Sequence, residues 1–220
     1  PSQLALVQGL RDTRNSLERW NANPARVLLP WLAGALAIAC TLLLAVWGIA
    51  SLNEPDPTMT LLPGLNLPVD GAAIGHILFR NSLVLLLHAL ACVAGFIAGS
   101  SLPLQAEHKS GVSKWVHEQA GPFAIAFVTL ATLFSLFTQA MVLGGVASDL
   151  ANQLDISTGM LILTLLPHAV PELVALFLPL AAWLVASRRD QWDELLAATF
   201  VTVAIAVPTL VATACIEVWV

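Results

Sequence analysis

The sequence predicts an all-α fold, a polytopic transmembrane bundle of about five helices. Three observations carry that expectation. Hydrophobic residues fill 58% of the 220 positions and charged residues only 10%, against about 25% charged in soluble domains. Five apolar stretches each exceed the ~20 residues that cross ~30 Å of hydrocarbon. These stretches are apolar on all sides, without the alternation a barrel strand needs, so backbone groups in lipid are satisfied within helices. A mean hydropathy of +0.82 agrees, and the length suits one bundle.

Residues 1–26 are expected on the cytoplasmic side. There Leu4, Val7, Leu10 and Leu17 recur at helical spacing before Asn23-Pro24, as in an interfacial helix on the leaflet or a soluble helix. The transmembrane domain, 27–220, has expected spans Val27–Leu52, Asn81–Leu102, Pro122–Ala147, Met160–Ser187 and Leu195–Val220. The connection Asn53–Phe79 is the longest. Its prolines oppose helix, whereas Gly71–Phe79 is apolar again and predicts a short re-entrant or surface helix before the second span. Pro103–Gly121 reads as a modest inner loop. The fourth segment would measure about 42 Å if straight and contains Pro167, Pro171 and Pro179, so it is expected to be kinked or broken.

Basic residues set the orientation. Arg11, Arg14, Arg19, Arg26, Lys109, Lys114, Arg188 and Arg189 fall on one side and Arg80 alone on the other. Positive residues stay inside, which predicts a cytoplasmic N-terminus and an external C-terminus. The N-terminus lacks the pattern of a cleavable signal peptide. Cys40, Cys92 and Cys215 show no paired spacing, so neither a disulfide framework nor a zinc motif is expected. Walker-type and zincin motifs are missing from the sequence, and no Ser or Cys has a convincing nucleophile setting. The chain is therefore expected to be non-enzymatic, with no cofactor, no metal and no nucleic-acid partner.

Polar groups inside the spans are where function is sought, because lipid tolerates ionisable side chains only when something pairs with them. His168 and Glu172 are the only ionisable residues between Met160 and Ala186, and their i, i+4 spacing places them on one face of a helix. By depth, Arg80 and Asn81 lie at the outer mouth of the second span, with His88 below them. Gln139 lies about two turns from the outer surface and Glu217 near the external boundary. Together these form a candidate polar cluster in the outer half, with Arg80 the first choice as ionic partner of Glu172. His88, His168 and Glu172 lack the tight ligand spacing a zinc site would show. Gly95-Phe-Ile-Ala-Gly99 is a small-xxx-small motif for close helix contact. Gly144 is a further packing glycine, and contact within the bundle is favoured over a homo-oligomer seam.

Several of these residues coincide with a known pattern. The block Leu166-Pro167-His168-Ala169-Val170-Pro171-Glu172-Leu173 resembles the Pro-His-Gly-x-x-Glu-leucine block of the stage II sporulation protein M family, with Ala169 in the glycine place. Arg80-Asn81 followed by Gly95 and Gly99 is similar to that family's Asn-Asn span. Gln139 to Gly144 and Ile216-Glu217 match loosely. The resemblance covers roughly Arg80 to Val220. It implies a non-enzymatic membrane partner, since the sporulation member gathers peptidoglycan-degrading enzymes at the engulfing septum. The leading expectation is thus a scaffold or assembly protein with membrane or external protein partners in the lipid bilayer. The alternative is a transporter or channel subunit with an ion, proton or small-anion site at His168 and Glu172.

Overall fold

A computed structural model describes residues 5–56, 71–101 and 111–219. The proline-rich part of the outer connection, 57–70, and the segment 102–110, with His108 and Lys109, lie outside the described residues. Six α-helices account for the described chain. They are α1 (Ala5–Asn21), α2 (Pro24–Leu52), α3 (Gly71–Phe96, prolonged by a π-turn Ile97–Ser101), α4 (Gly111–Gln153), α5 (Thr158–Arg189) and α6 (Leu195–Trp219, preceded by a 3-10 turn Trp192–Glu194). No strand occurs among the described residues, and five helices are long and apolar enough to cross a membrane. The chain is a multi-pass membrane protein.

Local chemistry sets the helix ends. Asn23 opens α2, its side chain accepting from the Arg26 amide, and Pro24 follows at the first helical position, where its missing N–H costs nothing. Ser157 caps α5 by accepting from the Met160 amide at 3.1 Å. Asp155 after α4 and Asp190 after α5 adopt left-handed backbone, at φ 54° and 57°. The following amides, Ile156 and Gln191, reach back to Ala151 O and Ala186 O, each at 3.0 Å, as in Schellman endings.

Two expected elements differ from the structure. Gly71–Phe79 is not a separate helix but the first turns of α3; once the prolines of the preceding loop are passed, nothing interrupts it. The fourth segment is not broken at Pro167, Pro171 or Pro179, for α5 runs through all three. Each proline removes one amide donor and crowds the carbonyl one turn earlier. The carbonyl that Pro179 leaves without its helical donor is Ala175 O. Beside it, His88 Nδ1 donates to Leu176 O at 2.9 Å and Cys92 Sγ to Pro179 O at 3.2 Å, so α3 grips the proline-bearing turn from the side. The third segment is longer than its apolar run. At 43 residues, α4 measures about 64 Å and projects well beyond the hydrocarbon.

α5 is the enclosed centre of the bundle, packed on α2, α6 and α3, while α4 lies at the periphery against α2 and α3. The pairs Asn81 with Glu172, His88 with Leu176 and Cys92 with Pro179 ascend together, so α3 and α5 are parallel neighbours. One end of the bundle is basic, with Arg26, Arg188 and Arg189. There α1 docks through the Arg19–Glu194 ion pair at 3.0 Å and an edge-to-face contact of Trp20 with Trp31. At the acidic end the Asp56 amide donates to Asp149 Oδ1 at 2.8 Å and Ser148 Oγ to Asn53 O at 3.2 Å, joining the tops of α2 and α4.

Glycines permit the closest approaches. A Cβ at Gly95 would come within 2.7 Å of Leu195 Cδ1 and 2.8 Å of Trp183 Nε1, and one at Gly144 within 2.5 Å of Ile49 Cγ2. A Cβ at Gly99 would overlap the Trp192 ring. Gly48 on α2 meets nothing within 4 Å. Gly95→Ala is therefore expected to lower stability by about 1–3 kcal/mol through overpacking. Gly48→Ala should be neutral or gain up to about 1 kcal/mol of helix propensity. Unfolding of the two variants in detergent checks the contrast, and equal effects would contradict this packing.

Candidate functional site

α3, α4, α5 and α6 enclose a cavity of about 600 Å³ toward the acidic end of the bundle. Asn81 faces α5 and donates through Nδ2 to Glu172 Oε1 at 2.6 Å. Gln139 on α4 also lines the space and donates to Ser135 Oγ at 3.1 Å. Arg80 and Glu217 complete the polar wall, and Arg80 is the cation whose field reaches Glu217. Helix α6 thus delivers a carboxylate from its last turn to the mouth of the same cavity that Glu172 enters from the middle of α5.

The expected Arg80–Glu172 ion pair does not form; Asn81 takes that place. Successive residues on a helix point about 100° apart, so Arg80 and Asn81 cannot both address α5. Asn81 does so half-buried, and Arg80 is exposed at the mouth. No carboxylate lies within ion-pair distance of Arg80 among the described residues.

The two histidines fall outside the cavity wall. His168 is half-buried one turn before Glu172, on the same helical face. His88 is fully buried, two turns past Asn81, tilted against the Phe177 ring with centroids 5.5 Å apart. Because a carbonyl only accepts, the Nδ1 contact to Leu176 O means that Nδ1 carries the hydrogen. His88 Nε2 and Trp183 Nε1 are buried without a hydrogen-bond partner among the described residues. No group of three His, Cys, Asp or Glu suited to a metal ion occurs among them either.

His88, Cys92, Phe177 and Leu178, all at most 1% exposed, form a packed floor beneath the polar wall on the side of the basic end. Above it the α4 wall is itself outer surface, with Phe134 72% and Val142 49% exposed. The cavity is thus open at its mouth and along α4, with this packed α3–α5 layer on its basic-end side.

Residues 119–220 match the family model of stage II sporulation protein M. No curated protein and no solved structure matches the chain. The matched stretch is shorter than the Arg80–Val220 resemblance seen in the sequence. It holds the Pro167–Glu172 block, Gln139 and Glu217, hence the α4, α5 and α6 walls, and leaves Arg80 and Asn81 of α3 outside.

Sequence reasoning missed His76, Ser135 and Thr138, which also line the cavity. His76 stands four residues before Arg80, on the same helical face. That signal was hidden because Gly71–Phe79 was read as a separate element. Ser135, Thr138 and Gln139 follow three- and four-residue spacing on α4, a polar stripe in an otherwise apolar helix, and this pattern was available in the sequence.

A double-mutant cycle separates the two assignments for Glu172. Asn81→Ala combined with Glu172→Gln is expected to show a coupling of about 0.5–3 kcal/mol in detergent unfolding, as for residues in direct contact. Arg80→Ala with Glu172→Gln should couple more weakly. The reverse order would restore the arginine as partner.

Proposed function

We propose that this protein is a non-enzymatic scaffold of the bacterial inner membrane, oriented with its basic end in the cytoplasm. Its cavity mouth, ringed by His76, Arg80 and Glu217, is then the external docking point for a protein partner. The observation that carries this reading is the packed floor. A conduit needs a polar path from one end to the other, whereas here the polar wall stops at the buried His88, Cys92 and Phe177 layer. Such a vestibule is built to bind. The concentration of arginines at the opposite end supports the orientation. The match to stage II sporulation protein M over α4 to α6 is in keeping with a partner-gathering role. Recruitment of cell-wall-remodelling enzymes is the form of that role the resemblance implies.

Transport is the competing reading, favoured by the ionisable side chains that face the cavity within the spans. Two measurements divide the readings. A photo-crosslinking residue at His76 is expected to capture a protein with an external domain in intact cells. The same residue at Leu44, exposed on the apolar face of α2, should capture none. Purified protein in proteoliposomes is expected to give no flux of protons, alkali cations or small anions above empty vesicles. Flux that disappears in Glu172→Gln, with no capture at His76, would replace the scaffold by a transporter.

A further inference from the structure

The cavity carries groups of both signs beside a wall that is lipid-facing. Arg80 stands at the mouth with no carboxylate in ion-pair distance among the described residues, and His76 lies one helical turn away on the same face. Glu217 comes from the opposite helix. Deeper in, Glu172 commits Oε1 to Asn81 and has its second oxygen left to accept. Neutral donors and acceptors, Ser135, Thr138 and Gln139, line the α4 side. Around them the wall is apolar, with Leu87, Leu173 and Leu176 on the inner helices and Phe134, Val142 and Leu143 on α4. The last three are also exposed on the outer surface. A ligand seated among the polar groups can therefore continue sideways into hydrocarbon.

We propose that the cavity is a lipid site that holds a zwitterionic, primary-amine headgroup of the phosphoethanolamine type, with the acyl chains leaving along α4. Charge complementarity selects this class. A purely anionic headgroup would satisfy Arg80 but lie against Glu172 and Glu217. A lone cation would satisfy the carboxylates but lie against Arg80, which lines the same cavity. A phosphate near Arg80 and His76 with an ammonium directed at the two glutamates matches both signs. The guanidinium fork suits phosphate oxygens, and a primary ammonium offers three donors to carboxylates, whereas a quaternary one offers none. The volume of about 600 Å³ falls within the roughly 300–1,000 Å³ of small-ligand sites. The open α4 wall separates a lipid from a free zwitterion, since a soluble ligand gains nothing from an apolar side exit. The inference goes beyond scaffolding and stands whether or not a protein docks at the mouth.

Native mass spectrometry of the full chain, released from micelles doped with equal amounts of dioleoyl phosphatidylethanolamine, phosphatidylcholine and phosphatidylglycerol, tests the proposal. Wild type is expected to retain phosphatidylethanolamine about tenfold over the other two, the scale of one charge-assisted hydrogen bond. Arg80→Gln should lower that retention about tenfold. Glu172→Gln should erase the preference for ethanolamine over glycerol headgroups. Glu217→Gln, at an exposed position, gives the same reading should the buried variant fail to fold. Equal retention of the three lipids by wild type, or a preference unchanged in both Arg80→Gln and Glu217→Gln, would overturn the assignment. Thermal stabilisation by soluble O-phosphoethanolamine without retention of the lipid would assign the site to a free zwitterion and overturn the lipid.

Discussion

The parallel contact between α3 and α5 is the constraint on which the rest of the bundle depends. In lipid, burial of apolar surface does not drive helices together, because acyl tails are as apolar as leucine; close packing and interhelical hydrogen bonds must do so. α3 supplies both along one face. Asn81 binds Glu172, His88 binds Leu176 O, Cys92 binds Pro179 O, and Gly95 lets Trp183 approach its backbone. The partner positions keep nearly the same offset along the two helices, so these contacts fix a single register. A slip of one turn would separate all of them together and leave Glu172 buried beside apolar atoms. Losing a hydrogen bond to a charged group in that way costs about 1.5–3 kcal/mol.

That register also explains how a helix with three internal prolines stays continuous. The prolines of α5 would ordinarily mark a kink or a break, and the sequence alone leaves both open. A proline disturbs a helix by removing a donor and crowding the preceding turn, and whether the helix parts there depends on what packs against that turn. Here His88 and Cys92 of α3, 88 and 87 residues earlier in the chain, hold Leu176 O and Pro179 O. Nothing in the local sequence of α5 announces them. The overall bundle was legible because hydrophobic length and composition are local properties; the fate of Pro179 was not, because it is decided by a neighbour.

The candidate site divides along the same line. Depth follows from position within a span, so Arg80, Asn81, Gln139, Glu172 and Glu217 were placed at a common level from sequence alone, and all five line one cavity. Azimuth, the direction a residue points around its helix, does not follow from depth. Charge made Arg80 the natural partner for Glu172, but its neighbour Asn81 faces α5 and Arg80 faces the mouth. His168 and Glu172 share a helical face by spacing, yet only Glu172 reaches the cavity wall. His88 lies at the depth expected and serves the helix contact instead. Where several helices meet, one residue of rotation decides between a site and a seam.

The sharp boundary between polar wall and packed floor follows from the same geometry. α3 and α5 pack closely along the stretch from His88 to Trp183, with Phe177, Cys92 and Leu178 almost wholly buried. Toward the acidic end α4 lies at the periphery of the bundle, and the space between it and the α3–α5 pair becomes the cavity. His88 Nε2 and Trp183 Nε1, which find no hydrogen-bond partner among the described residues, sit on the packed side, where an unsatisfied buried group costs about 1–3 kcal/mol. A bundle that tolerates that cost below, while placing Arg80, Glu172 and Glu217 against open space above, concentrates its polar chemistry at one end. The same helix pair therefore supplies both the rigidity of the floor and the position of the carboxylate above it.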